Sequence, residues 1–232
     1  MANYFNLTLD TTGPSNVTLT LAGGAQFATD QLIDAAISTA DNPTTGYQMK
    51  LWGSLDVAWA KSNGLLGAAA SASTEADALW VTFATTRQLR LSAGDGNKTI
   101  NCKVRDDVYN PSAQASDSIT LDTSRPTVTI TGPDVSKISK QTGKNICSFS
   151  FVADEAYTAY KVKFVASTGA AHDTGTQIPT AGGSTNMSGG SGTGVTPVEC
   201  TITGADLETA NSGDGLKIIK VFVQDAAGNW SA

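Results

Sequence analysis

Apolar and polar residues alternate with period two in several separate stretches of this chain. Ile100, Cys102 and Val104 follow the pattern, and so do Ile219, Val221 and Val223. A period of two puts every second side chain on one face of a strand, so each set predicts a buried strand face. Tyr47, Met49 and Leu51 repeat the pattern, as do Tyr160, Val162 and Phe164, with Lys50 and Lys163 on the opposite, outward face. Phe149 and Phe151 predict another strand in the second half. Leu79, Trp80, Val81 and Phe83 in the first half, and Val198, Cys200 and Ile202 in the second, predict one more. Asp95-Gly96, Gly182-Gly183, Asp214-Gly215 and Gly228-Asn229 supply turn signals between them. Many short, punctuated strands predict a Greek-key sandwich. The Ala-rich stretch 65–79 breaks the pattern and reads as a helical turn or as a loop particular to the first half.

Three of these blocks occur twice, in the same order, at offsets of 112 to 119 residues. Gly94-Asp95-Gly96-Asn97-Lys98 through Asp106 matches Gly213-Asp214-Gly215-Leu216-Lys217 through Asp225 without a gap, and Asn110 continues the match at Asn229. Tyr47 to Leu51 corresponds to Tyr160 to Phe164, and Leu7 to Pro14 corresponds to Ile119 to Pro126. The chain is therefore read as all-β, two tandem immunoglobulin-like Greek-key β-sandwiches, with domains at 1–122 and 123–232. In the first copy Gln114 to Leu121 predicts a closing strand. In the second, only Trp230, Ser231 and Ala232 follow Asn229. The second sandwich is thus expected to lack its last strand and to expose an edge, which is a liability unless something pairs with it. Asn6 to Thr11 matches Ser118 to Thr123 and has the character of the missing strand. One reading is strand addition by a neighbouring copy or another assembly protein, with Leu7, Leu9, Val221, Val223 and Trp230 as the candidate interface. The other is that Leu7 to Thr11 pairs within its own domain and the second domain tolerates a short edge.

Charge narrows the partners. A net charge of −6 and a pI near 4.6, without any basic cluster, argue against nucleic acid, whose binding requires Lys and Arg against phosphates. The N-terminus lacks the basic and apolar regions of a signal peptide, and the most apolar run, Gly64 to Ala72, is too short to span a bilayer. For a full-length chain this predicts synthesis and release in the cytoplasm. Cys102, Cys147 and Cys200 do not form the pair that would bridge one sandwich, because Val221 stands where the second copy would need its partner. They read as small buried hydrophobes. His172 lies beside Asp173 without any nucleophile-elbow sequence, and Cys and His are nowhere clustered as zinc requires, so no catalytic residue and no enzyme activity are read here. Asp95, Asp106, Asp107, Asp214 and Asp225 sit in loops at sandwich ends. They are weak calcium candidates, and Asx hydrogen bonds to the backbone are the competing role. No other cofactor is implied.

Leu121-Asp122-Thr123-Ser124-Arg125-Pro126 and Val223-Gln224-Asp225-Ala226-Ala227-Gly228-Asn229 resemble bacterial and phage immunoglobulin-like repeats. In that group an LDTxxP segment opens a domain, and a DxxGN turn follows its penultimate strand. The first copy departs from this pattern, carrying Asp106-Asp107-Val108-Tyr109-Asn110 at the turn. The resemblance implies a non-enzymatic component of a phage particle or related assembly, located in the virion after synthesis in the host cytoplasm. Its partners would be other virion proteins and further copies of itself, with no membrane and no nucleic acid. The alternative is an adhesin or glycan-binding module, for which Trp59 and Trp230, in connecting segments, are better candidates than Trp52 and Trp80, expected in the core.

Overall fold

The computed structural model describes residues 4–41 and 45–232. The chain divides into two compact units, Met1–Thr123 and Ser124–Ala232.

Unit 1 contains β1 (Thr18–Leu21), β2 (Phe27–Ala28), β3 (Leu32–Ser38), β4 (Gln48–Gly53), the short helix α1 (Val57–Ser62), β5 (Val81–Thr82), β6 (Thr86–Arg90), β7 (Gly96–Arg105) and β8 (Ala115–Leu121). They form two sheets, ordered β1-β3-β6 and β2-β8-β7-β4-β5. Alternation supplies the core between them. Ile33, Ala35 and Ile37 of β3, Met49 and Leu51 of β4, Ile100, Cys102 and Val104 of β7, and Ile119 and Leu121 of β8 are all buried there. The closing strand β8 pairs antiparallel with β7 from Gly96↔Leu121 to Cys102↔Ala115.

Unit 2 contains β9 (Val128–Thr131), β10 (Ile146–Ala153), β11 (Ala159–Val165), β12 (Thr176–Gln177), β13 (Ser188–Gly189), β14 (Val198–Thr203), the helix α2 (Gly204–Ala210) and β15 (Ile218–Gln224). One sheet runs β14-β10-β9. In the other, β11 pairs with β15 along one side and with β12 and β13 along the other. Phe149, Phe151, Tyr160, Val162, Cys200, Ile202, Val221 and Val223 form the core. Each unit is an immunoglobulin-like β-sandwich.

Three sequence expectations are corrected. First, Tyr47 does not correspond to Tyr160. Met49 faces Val104 and Tyr160 faces Val223, and Val104 and Val223 are the equivalent positions of the repeat, so Met49 matches Tyr160. The sequence alignment of these strands was off by two residues, a slip that keeps every side chain on its face and so leaves no trace in the pattern. Tyr47 consequently precedes β4 and is only half-buried, whereas Tyr160 is buried. Second, residues 79–83 are not the counterpart of β14. The strand that joins β3, as β14 joins β10, is β6, while β5 pairs with β4. Third, Lys163 is not solvated. It is buried, and its Nζ donates to the His172 carbonyl at 2.9 Å.

The two helices have local causes. Asp56 caps α1, accepting from the Trp59 N–H at 2.9 Å. Thr203 caps α2, accepting from the Asp206 N–H at 3.2 Å. Stretch 65–79 is irregular and anchored by buried Leu65, Leu66, Ala70 and Ala78.

Candidate functional site

The repeated Asp, Asn and Ser residues build the same corner in both units. In unit 2, Asp225 Oδ1 accepts from the Gly228 and Asn229 N–H groups at 2.7 and 2.8 Å, and its Oδ2 accepts from Asn229 Nδ2 at 3.0 Å. In unit 1, Asp106 Oδ1 accepts from the Val108 and Asn110 N–H groups at 3.0 and 2.8 Å, and its Oδ2 accepts from Asn110 Nδ2 at 3.0 Å. The strand end is closed alike. Ser231 N–H donates to the Val223 carbonyl at 2.9 Å and Val223 N–H to Ser231 Oγ at 3.1 Å, as Ser112 and Val104 do at 2.7 and 3.0 Å. Tyr109, with φ 71°, takes the left-handed backbone held by Gly228 at φ 101° in the other copy. The departure of unit 1 from the DxxGN pattern therefore leaves its turn intact.

Hydrogen bonds within the protein engage three of the five calcium candidates, Asp95, Asp106 and Asp225. Asp106 and Asp225 are buried and turned onto their own loops. Asp95 accepts from the Thr123 N–H and hydroxyl at 3.0 and 2.8 Å, fastening the end of β8 at the opposite end of β7 from Asp106. Asp107 and Asp214 are exposed. Among the described residues no three His, Cys, Asp or Glu side chains gather where they could hold a metal ion.

The candidate interface divides. Leu7 and Leu9 are 85% and 86% exposed, on a segment without secondary structure. Val221 and Val223, at 3% and 0%, turn their side chains into the core. A strand that arrived at β15 would meet their backbone edge and not their side chains. Trp230 is half-buried, with the His172 ring stacked on it at 4.8 Å and 3° and Lys161 Nζ 4.9 Å from its centroid. His172 is thus a packing partner of Trp230. β15 has one sheet neighbour. Among the described residues only β11 pairs along it, and beyond the Gln224↔Trp230 bridge its outer side meets no strand.

The remaining tryptophans and the thiols are buried or partly covered. Trp52 is in the core, but Trp80 is not. It is half-buried, with Lys50 Nζ 5.1 Å and the Arg105 guanidinium 4.5 Å from its ring centre. Trp59 packs on the unit 1 core from α1. All three cysteines are free thiols, Cys102 and Cys200 buried and Cys147 half-buried. Burial pushes the Cys102 thiol up to about 12, and burial followed by the nearby Glu199 does the same for Cys200. Burial and then Asp134 raise Cys147 as well. Thiolate, the reactive form, is therefore scarce at neutral pH. Native protein should react with a thiol reagent slowly and far below stoichiometry, then give three equivalents on denaturation. Two equivalents missing after denaturation would reveal a disulfide and contradict the structure. Cys102→Val should shift stability by less than about 1 kcal/mol, because Val221 already fills the equivalent position.

Asp206 is the most enclosed carboxylate that the sequence reading passed over. It accepts from the Gly182 and Ser184 N–H groups at 2.7 and 2.8 Å and from the Thr203 hydroxyl at 3.1 Å. The Thr203-x-x-Asp206 spacing of a capping box was the available signal. Burial alone would raise this carboxyl, but the Ser184, Gly182 and Thr203 donors outweigh it and hold it below the usual carboxylate range. A depressed folded-state value means that the contribution is complete above the unfolded value of about 3.9 and drains as pH falls below it. Unit 2 should therefore lose stability on acidification through this range more steeply than Asp206→Asn does, read as urea midpoints against pH. Parallel losses in the two proteins would assign the acid sensitivity to other groups.

No family model matches this chain, and no curated protein matches it. Among solved structures it is similar to the fibronectin(III)-like modules of Clostridium thermocellum CbhA, at 11% identity and a TM-score of 0.44, over 93% of this chain and 90% of that one. The chitinase ChiA74 from Bacillus thuringiensis gives 11% identity and a TM-score of 0.29, over 93% of this chain and 30% of that chain. The α-2-macroglobulin of Salmonella gives 9% and 0.25, over 96% and 15%. The strand pairings, and not these distant likenesses, carry the fold assignment. Among the described residues no helix is long and apolar enough to cross a membrane.

Proposed function

We propose that this protein is a non-enzymatic structural or decoration component of a phage particle or phage-like assembly, in the capsid, neck, tail or baseplate. It acts through contacts of its immunoglobulin-like domains with other virion proteins and with its own copies. The observation that carries this reading is the use made of the recurring polar residues. Asp106, Asn110 and Ser112, and again Asp225, Asn229 and Ser231, are spent on the loops of their own sandwich. What each unit offers its surroundings is surface and strand edge, the equipment of a building part. The LDTxxP and DxxGN resemblance supplies the setting, a virion protein made in the host cytoplasm.

The adhesin or glycan-binding alternative needs open aromatic faces for sugars. Trp80 lies under Lys50 and Arg105, and Trp230 under His172 and Lys161, so these rings are already engaged. Purified particles from the source of this sequence, probed by mass spectrometry and immunogold labelling, test the proposal. A fixed copy number per particle supports it. Absence from particles together with selective binding on a glycan array overturns it in favour of the alternative.

A further inference from the structure

We propose that the ammonium groups of Lys163 and Lys220 form a binding site for a single oxyanion, a phosphate or a carboxylate, on the outer face of the sheet of β11 and β15. The proposal goes beyond the particle reading, which invokes no ligand.

The register of the two strands places the lysines. Val162 and Val221 pair with their side chains in the core, so Lys163 and Lys220, which pair directly with each other one step along, project from the opposite face. Like charges directly opposite on adjacent strands destabilise a sheet, so something must offset them. Unit 1 meets the same difficulty at the neighbouring pair of the equivalent face, where Lys50 stands opposite Lys103. There a carboxylate resolves it. Glu75 Oε1 accepts from Lys103 Nζ at 2.7 Å, and the Glu75 carbonyl accepts from Lys50 Nζ at 3.0 Å. The Lys103 hydrogen bond, opposed by burial and helped by the charges of Lys103 and Lys50, holds the Glu75 carboxyl below the usual carboxylate range.

Unit 2 has the lysine pair without the carboxylate. Loop 166–175 supplies backbone carbonyls instead. Lys220 Nζ donates to those of Thr168 and Ala170, each at 2.8 Å, and Lys163 Nζ donates to that of His172 at 2.9 Å. Carbonyl dipoles solvate an ammonium but do not cancel its charge. Among the described residues neither lysine forms an ion pair. Burial, and then the charge of Lys161, hold the Lys163 ammonium below the usual lysine range, and the exposed Asp173 opposes them only in part. Lys163 is 8% exposed, so salt screens its charge little.

The donors left over suit an oxyanion. An ammonium carries three N–H groups, so one bond made by Lys163 leaves it two, and two made by Lys220 leave it one. These converge from adjacent strands, as charge-assisted bonds to one phosphate or carboxylate require. Lys220 is half-buried, and solvent reaches the pair from its side. A bound anion does for unit 2 what Glu75 does for unit 1.

Amide chemical shifts of the intact chain read the site residue by residue. Inorganic phosphate, titrated at constant ionic strength against chloride, should shift the amides of residues 168–172 saturably, with half-saturation in the millimolar range, and leave those around Glu75 unmoved. Lys220→Met keeps the stem and removes the charge, and it should weaken binding at least ten-fold. Glu75→Gln removes the internal carboxylate and should create a second phosphate site at Lys50 and Lys103. Shifts that grow without saturating, equal affinity in Lys220→Met, or no second site in Glu75→Gln overturn the proposal. Misfolding would show in the same spectra, and Lys220→Gln then takes the place of Lys220→Met. Acetate and a glutamate-containing tripeptide separate the sources of the anion. Binding of the peptide at least ten-fold tighter than acetate assigns the site to an acidic segment of a partner chain, and equal binding assigns it to a free anion. Particle incorporation enters none of these readouts, so this proposal and the particle reading fail separately.

Discussion

Asp225→Ala should lower the stability of unit 2 by about 3 kcal/mol. The carboxylate is 3% exposed and accepts from two backbone N–H groups and one side-chain amide. Removing it strands donors that cost ~1–3 kcal/mol each when buried, and partial access of water to the loop limits the sum. Asp225→Asn should cost less, about 1 kcal/mol. Its remaining oxygen can still accept from both N–H groups, and only the contact with Asn229 becomes donor against donor. Asp106→Ala should cost unit 1 a similar amount, because the corner is the same. Hydrogen exchange by mass spectrometry reads the units separately, so each variant should weaken protection in its own unit alone. A loss below about 1 kcal/mol for both alanine variants would mean that water replaces the carboxylate freely.

Phe151→Ala should be costlier, about 3–5 kcal/mol. Phe151 is 1% exposed in β10, its ring centre 5.1 Å from that of Tyr160 and 6.4 Å from that of Tyr157. Tyr157 and Tyr160 meet edge to face at 6.1 Å, so the three rings form one cluster between the sheets. Truncation leaves a cavity that neither tyrosine can fill without giving up its own packing. Phe151→Leu, which keeps most of the volume, should cost about 1.5 kcal/mol or less. Urea unfolding followed by the fluorescence of Trp230, the one tryptophan of unit 2, reads both variants. Equal losses for alanine and leucine would show that the aromatic contacts, and not the volume, set the stability.

The alternation of apolar residues made the strands legible, and the gapless block from Gly94 to Asp106 made the duplication legible. What stayed hidden has physical reasons. A two-residue slip between β4 and β11 preserves facing, so periodicity could not detect it. β6, Thr-Arg-Gln-Leu-Arg, buries Leu89 alone and carries no alternation to read. Two-residue strands such as β5 and β12 span a single period and so show no repeat. The corners were half legible. Asp106 and Asp225 stood out as carboxylates in loops, but whether they face a cation or their own backbone depends on the direction of a side chain, which spacing does not encode. The stacking of His172 on Trp230 joins residues far apart in the chain and left no local mark.

The corner has a further consequence for how this protein can change. Asp and Asn grip both ends of the turn, and Ser closes the strand behind it, so the side chains of the three residues between Asp and Asn make none of the bonds of the clasp. They are Asp107, Val108 and Tyr109 in one unit and Ala226, Ala227 and Gly228 in the other. Val108 and Tyr109 are 54% and 62% exposed. The one condition falls on the residue before Asn, which must accept a left-handed backbone, as Tyr109 and Gly228 both do. Exposed substitutions elsewhere in such a span cost within about 0.5 kcal/mol. Each unit thus presents a short tip that differs between the two copies on a clasp that they share, and the chemistry of that tip can differ without loosening the sandwich.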